Sequence, residues 1–481
     1  MLFAGSSVFS NSFFSRKLFS RKLFNRKKAA VFTLTAALTF SLLPEGILQA
    51  EGRASLKPQV KAALDKDLTE LVGFSGTKVP GLAVIVYKDG APVYSKFAGN
   101  RYIDPVQPVK NKPMTGDARF RIASVSKQFT AYTIMQLVDQ KKIDLDADVS
   151  KYLGFRLRNP AYPKTPITAR MLLSHTSSLR DDDEYTLAAP YSLESLFKPG
   201  WKFYDDGGHF GSEGAPGEYF VYTNLNYGVL GTMIEKVTGQ RFDKYQRDHI
   251  LKQLDIKGSY NLGDFNARDL DNLGVIYRKR SEGQWQEQGP WVAQIDDLQG
   301  AVQNPDRVGG HSLKYYKPGS NGTIFGPQGN LRISANELSH VLEMLINHGK
   351  YNGKQVIAPQ LLDEMFKVQW KYSPALHNGD TENGSIEAYG LGVQPFYGNG
   401  TSRVSRDASL NFQGHLGEAY GLLSGVLMRT GTKDGFVYIM NGVAFPEGSH
   451  RSDGNYSGNY VWEENLMDAI CRNVFTDKRG K

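Results

Sequence analysis

Three places in the chain set a lysine three residues after a serine: Ser75/Lys78, Ser124/Lys127 and Ser195/Lys198. On a helix that spacing puts a hydroxyl and an ammonium on one face, a turn apart. A lysine kept neutral by burial or by a nearby charge takes the serine's proton and makes the oxygen a nucleophile. Composition alone produces about this many matches, so the flanks decide between them. Ser75-Gly76-Thr77-Lys78 is a glycine-containing turn, and Lys198 is followed by Pro199-Gly200, which stops a helix. Only Ser124-Val125-Ser126-Lys127 opens a long apolar helix directly after a hairpin. Within it Ser124 faces Lys127, whereas Ser126 is adjacent and points elsewhere. A helix N-cap is the alternative role for Ser124. Tyr-x-Asn, a phenol and an amide suited to the same proton network, occurs at Tyr222/Asn224 and Tyr397/Asn399. His-x-Gly occurs at His209, His377 and His415. Taken singly, each of these reads as structural.

The elements that must position these groups follow from periodicity. Residues 55–73 place Leu56, Val60, Ala63, Leu64, Leu68 and Leu71 near helical spacing. Segments 81–87 and 93–98 are predicted strands, with Asp89-Gly90 as the hairpin turn. A helix is predicted over 125–139. The middle, 140–330, is rich in Gly, Pro, Tyr and Asp and reads as short helices and long loops. A capping box, Ser334-Ala335-Asn336-Glu337, opens a helix to 347, and another runs over 359–367. Strands return at 389–395, 421–429 and 436–441, with Lys433-Asp434-Gly435 turning the last pair. A helix over 460–475 closes the chain. This order predicts an α+β fold: an antiparallel sheet built from 52–122 and 385–481, flanked by N- and C-terminal helices, with 123–384 inserted as a mainly helical domain.

Composition excludes whole classes of function. With 40% apolar and 22% charged residues among 481, the chain has ample core material and is not a disordered tail or a collagen. One cysteine, Cys471, makes no disulfide and no CxxC site. The net charge of +8 does not mark a nucleic-acid partner. Residues 1–50 hold seven of the 57 basic residues and one of the 49 acids, so the remainder is close to neutral. Those first residues run from a basic stretch ending at Lys28 to an apolar run over 29–43, then Pro44, Gly46 and Leu48-Gln49-Ala50. That is the order of a secretory signal cleaved near Ala50, leaving Glu51 first. An uncleaved anchor and a mitochondrial presequence are the alternatives. The apolar run is short against the roughly 20 residues of a span.

Read in order with their flanks, the matches form a pattern. The chain carries Phe120-Arg121-Ile122-Ala123-Ser124-Val125-Ser126-Lys127, then Met171-Leu172-Leu173-Ser174-His175-Thr176-Ser177-Ser178-Leu179. Pro216-Gly217-Glu218-Tyr219-Phe220-Val221-Tyr222-Thr223-Asn224 and Gly414-His415-Leu416-Gly417 follow. This resembles the serine β-lactamase-related superfamily: class C β-lactamases, D-alanyl-D-alanine carboxypeptidases and related esterases. The likeness covers about 57–475, with 329–347 and 350–365 also similar, and it implies a β-lactamase/transpeptidase-like fold.

By that resemblance Ser124 is the acylated nucleophile and Lys127 accepts or relays its proton. Tyr222 is the partner base and the acid toward the leaving group. Asn224 holds Lys127 or the substrate amide. His415 lies on the strand edging the site, and the backbone N–H groups of Ser124 and Glu418, beside Gly417, form the oxyanion hole. The chain departs from the pattern at Leu416, where a hydroxyl residue usually helps bind a carboxylate, which favours neutral esters. It departs again at Ser178, usually glycine, read as structural drift. The interval from Tyr222 to His415 is also long, with the excess expected in 276–322 around Trp285 and Trp291, as a lid or as a passive insertion. No Gly-x-Ser-x-Gly elbow, His-Glu-x-x-His, Walker loop or GxGxxG unit occurs, and Gly326-Pro327-Gln328-Gly329 reads as a site-edge loop. The expectation is an exported serine hydrolase cleaving an ester or amide, with no metal or cofactor and no stable partner beyond a small-molecule or peptide acyl substrate. A D-alanyl-D-alanine carboxypeptidase or weak β-lactamase, and a non-hydrolytic acyl-binding protein of the same fold, are the alternatives.

Overall fold

The first strand of the main sheet, β1 (Gly81–Lys88), is buried along nearly its whole length. Its near-continuous apolar sequence is what a strand covered on both faces requires. The computed structural model describes residues 55–74, 78–281, 284–285, 289–298, 300–443 and 454–476. Residues 1–50, expected as a secretory signal, Ser75 of the first Ser-x-x-Lys match and part of the Trp285 loop lie outside the described residues. Strand β2 (Ala91–Tyr102) follows β1 through Asp89-Gly90, both at positive φ (+53° and +84°), as a two-residue hairpin turn demands. The sheet is completed by β3 (Lys112–Pro113), β4 (Gln394–Phe396), β5 (Phe412–Ala419), β6 (Leu422–Arg429) and β7 (Gly435–Met440). Its order is β4-β5-β6-β7-β1-β2-β3, antiparallel throughout. The two ends of the chain thus share one sheet, joined where β1 pairs with β7.

Five helices matter for the site: α1 (Pro58–Glu70), α2 (Ser126–Asp139), α3 (Leu225–Thr238), α4 (Ala335–Ile346) and α5 (Val461–Ile470). On one face of the sheet, Leu82, Val84 and Val86 of β1 join Leu64 and Leu68 of α1 and Leu466, Met467 and Ile470 of α5 in an apolar cluster. On the other, Ala83 and Ile85 join Leu338 and Leu342 of α4. That cluster runs on through Ile134 of α2 to Leu230 and Met233 of α3. Each leucine so buried contributes about 2 kcal/mol of transfer free energy. Helix α4 opens on the complete capping box, Ser334 and Glu337 each bonding the other's backbone N–H. It lies against β1, β6 and β7, so this part of the 123–384 segment packs on the sheet.

Several expectations shift in detail. The strand expected over 389–395 is two pieces, Ala388–Tyr389 and β4, because Gly392 takes a left-handed φ of +73° between them. The last strand pair is joined by residues 430–434, and Gly435 already belongs to β7. Asp434 accepts the Asp89 N–H at 2.9 Å and pairs with Arg429, tying this loop to the β1–β2 turn. The segment expected as excess begins as strand Ile276–Ser281, which pairs antiparallel with Trp291–Ile295 and parallel with Gly442–Val443. Among the described residues no helix is long and apolar enough to cross a membrane, and no group of three or more His, Cys, Asp or Glu is arranged to hold a metal ion.

Candidate active site

Ser124 stands in a single 3₁₀ turn, Ala123–Val125, that leads straight into α2. Strand Arg119–Arg121 delivers it by pairing with Arg332–Ser334, just before α4. That register is locked by Arg119, bonded to Glu337 at 3.0 Å and to Asp269 at 2.9 Å. Ala123 sits at φ +48°, a left-handed conformation that a residue with a Cβ holds only when its surroundings impose it. One turn into α2, Lys127 is wholly buried, and its Nζ donates to Ser124 Oγ (3.1 Å), Asn224 Oδ1 (2.8 Å) and the Gln328 carbonyl (3.2 Å). Burial lowers the Lys127 pKa from its ordinary value to about 7; the carboxylate of Asp181 opposes that shift without cancelling it.

Asn224 is oriented from the other side. Asp181 Oδ2 accepts both its backbone N–H (2.8 Å) and its side-chain Nδ2 (2.9 Å), and Asp181 Oδ1 accepts the Leu225 N–H (2.8 Å). One carboxylate therefore satisfies the first donors of α3 and turns the Asn224 carbonyl toward Lys127. The Tyr222 ring lies beside the lysine, with Nζ 4.6 Å from its centroid. On the sheet side, a Cβ at Gly417 would fall 2.6 Å from the Ile122 carbonyl and 3.2 Å from the Ser124 nitrogen. Only glycine lets β5 come this close to the serine turn, and Ser424 Oγ donates to the same Ile122 carbonyl at 2.9 Å. The Gly417–Glu418 backbone is thereby brought alongside the Ser124 amide.

These groups open on a cleft of about 570 Å³ lined by Ser124, Tyr222, Asn224, Gln328, His415 and Glu418 among others. His415 is buried, and both ring nitrogens are engaged. Nδ1 lies against the Leu416 carbonyl, and Nε2 lies 2.7 Å from the Tyr389 hydroxyl. A carbonyl only accepts, so a neutral ring carries its proton on Nδ1 and takes the Tyr389 O–H at Nε2. Leu416 borders the cleft but is only 3% exposed; its side chain belongs to the apolar cluster on the α1/α5 face. Glu418 pairs with Arg278 at 3.6 Å. Arg278 and Arg121 both line the cleft, and Arg121 stacks on the Tyr420 ring at 4.8 Å.

Sequence reasoning missed Asp181, Tyr389, Arg121 and Arg278. Asp181 left a faint signal, since it opens the acidic run right after the Ser174–Leu179 stretch; Tyr389 and Arg278 left none. Arg278 comes from the 276–322 segment, which thus supplies a wall of the cleft. The Gly326–Gly329 turn does edge the site, through Gln328 and Gly329. Ser178 sits at φ +62°, which explains a preference for glycine there, and its hydroxyl accepts a bond from Asn159 at 3.0 Å. Among the other matches, Ser195 Oγ donates to its own local carbonyl, Ser192 O, at 2.6 Å. His209, His377 and Tyr397 are not among the cleft-lining residues.

A sheet carrying terminal helices on one face and a Ser-x-x-Lys helix on the other, with Tyr-x-Asn and His-x-Gly meeting over one cleft, defines the β-lactamase/transpeptidase-like class. Residues 61–455 match the Beta-lactamase family, and the chain belongs to it, a family of hydrolases. It is 32% identical over 179 residues to Protein flp of Staphylococcus aureus strain MW2, covering 37% of this chain and 34% of that protein. It is 31% identical over 202 residues to Penicillin-binding protein 4 of Amycolatopsis lactamdurans, covering 41% and 50% respectively. The matches thus span about a third to a half of these relatives' length. Among solved structures, D-amino acid amidase from Ochrobactrum anthropi SV3 aligns with a TM-score of 0.58 at 20% identity, over 86% of this chain and 99% of that one. The octameric penicillin-binding protein homologue from Pyrococcus abyssi aligns at 0.56 and 22%, over 81% and 74%. At these identities the structures share the fold.

Proposed function

We propose that the protein is an exported serine hydrolase that cleaves an ester or amide through an acyl-Ser124 intermediate. One observation carries this reading: the buried Lys127 amine, lowered to about 7, sits 3.1 Å from Ser124 Oγ. Near neutral pH roughly half of such a lysine is the free amine, so base and acid forms are both at hand. The neutral Nζ takes the Ser124 proton as Oγ attacks the acyl carbon. The tetrahedral oxygen faces the amides of Ser124 and Glu418. Collapse breaks the bond to the leaving alcohol or amine, which receives a proton through Tyr222. Water then adds to the acyl-serine, the same base takes its proton, and Ser124 is regenerated as the acid leaves.

A fluorophosphonate probe with mass mapping tests this directly. Label on Ser124, abolished in Ser124→Ala, is the expected result; label on another serine, or none, sinks it. Export rests on the basic–apolar–small order of residues 1–50. N-terminal sequencing of the native protein is expected to begin near Glu51, and recovery of the full chain from membranes would favour the anchor instead.

A second reading has its own support. Arg121 and Arg278 line the cleft, and guanidinium groups suit a substrate carboxylate, as a peptidase or β-lactamase substrate would carry. Relative kcat/KM for p-nitrophenyl butyrate and a cephalosporin separates the two. The first reading expects the ester to be favoured by about 10²-fold or more, roughly 3 kcal/mol.

A further inference from the structure

The Ser174–Leu179 stretch has no part in the proton path just described, yet His175 is among the most enclosed side chains near it. Its backbone takes a left-handed φ of +59°, a conformation that persists in a residue with a Cβ only where neighbours over-determine it. From there it reaches both sides of one residue. The His175 carbonyl accepts the Val221 N–H at 3.0 Å, and His175 Nδ1 accepts the Thr223 N–H at 3.0 Å. Between those two bonds lies Tyr222, and the imidazole stacks on its ring with centroids 4.3 Å apart and planes at 28°. Phe220, Tyr227 and Tyr389 close around the same imidazole at 5.8, 5.5 and 4.9 Å.

We propose that His175 is the positioning residue for the Tyr222 phenol, clamping the backbone on either side of it and backing its ring. This rests on the serine-hydrolase reading above. The clamp works only with a neutral imidazole. With Nδ1 accepting from Thr223, the ring proton is on Nε2; a second proton would set one N–H donor against another. The charged and titratable groups around the ring are Lys127 and His415, with Tyr222, Tyr227 and Tyr389. Burial first, then the neighbouring Lys127 and His415, hold its pKa well below the usual value. His175 Nε2 is buried and makes no hydrogen bond to the described residues, so the tautomer is set at Nδ1, by the Thr223 N–H and by the Asn226 side-chain amide 3.4 Å away.

The test is a double-mutant cycle on ester hydrolysis. His175→Phe keeps a ring to stack and loses the acceptor; it is expected to lower kcat about tenfold or more with KM within about threefold. In a Tyr222→Phe background the same change should cost less than about twofold, because there is no phenol left to position. His175→Asn offers an amide oxygen to Thr223 and should recover most of the loss. Equal losses in both backgrounds, or losses that only track melting temperature, would overturn the proposal. If Tyr222→Phe is inactive while His175→Phe keeps full kcat, this inference alone fails. If Tyr222→Phe is fully active, both it and the proton path fail. A readout independent of activity, and of whether His175→Phe folds, is the ¹⁵N NMR of His175 in the unmodified protein. A ring fixed as the Nε2–H tautomer from pH 5.5 to 8.5 is expected, and titration within that range overturns the clamp.

Discussion

Ser124/Lys127 and Ser195/Lys198 share one spacing in one chain, and each lysine lies near an aromatic ring, yet they differ in exposure and in hydrogen bonding. Lys127 is wholly enclosed, bonded to the serine hydroxyl and to two carbonyl oxygens. The Lys198 side chain is 51% exposed, 3.7 Å from Glu194 on the same turn, and lies over the Trp201 ring at 4.8 Å. An exposed pair of that kind adds little stability. Taking the amine out of water is what brings its pKa to where a base is useful. The difference teaches that Ser-x-x-Lys becomes a proton-transfer pair through burial and through acceptors that hold the nitrogen without neutralising it.

The largest effect that would break this contrast is at the serines. Ser124→Ala is predicted to lower kcat/KM for a chromogenic ester by about 10³-fold or more, the scale of losing a covalent nucleophile. Ser195→Ala should leave it unchanged. Comparable losses at both serines would show that burial does not single out the site.

Next come the lysines. Lys127→Ala should cost about 10²-fold or more in kcat, the usual range for a general base, while Lys198→Ala should be neutral. Steady-state kinetics with thermal melts as the folding control decide it.

A subtler test moves the lysine's pKa without removing it. In the wild type the acid limb of kcat/KM is expected near pH 7, where Lys127 loses its proton. Asp181→Asn removes the carboxylate that favours the protonated amine. The limb should then move down in pH, and the share of full activity kept below pH 7 should rise. A limb that stays in place would remove Lys127 as its origin.

The smallest effect is on stability. The folded-state pKa of Lys127 lies below the unfolded value, so the unfolded chain binds more protons between about pH 7 and 10.5. Stability from this group therefore rises with pH across that window and is lowest below it. Lys127→Met should be more stable than wild type at pH 7 by about 1–2 kcal/mol, the trade often seen where an active site carries a buried polar group. Lys198→Met should not shift the melt. Denaturant titration that finds Lys127→Met less stable would mean that the stranded Asn224 and Gln328 oxygens outweigh the charge.

Much of this was legible because local rules were obeyed. Asp89-Gly90, the Ser334–Glu337 capping box and the apolar helix after Ser124 are short-range signals, and each led to its element at nearly the right residues. The 389–395 strand failed through Gly392, whose left-handed backbone is set by its packing: its N–H meets the Leu173 carbonyl at 3.1 Å. Ser178 passed for drift because a serine gives no sign of a positive φ, which its surroundings impose here. Leu416 was weighed as a cleft residue, yet strand alternation carries its side chain into the far face while Gly417 faces Ser124.

By itself the sequence determined which side chains are available for acyl transfer and that a helix presents Ser124 and Lys127 together, since i,i+3 spacing and apolar periodicity are properties of a few consecutive residues. It also determined that most of the net positive charge lies in the first 50 residues. Only the tertiary structure decided that Asp181 orients Asn224, that Tyr389 sets the proton on His415, that Arg278 reaches the cleft from the Ile276–Ser281 strand, and that His175 grips the chain on both sides of Tyr222. Each of those contacts joins residues far apart in the chain, and its strength comes from water excluded by everything packed around it. Desolvation is a property of the assembled core, which no window of sequence contains.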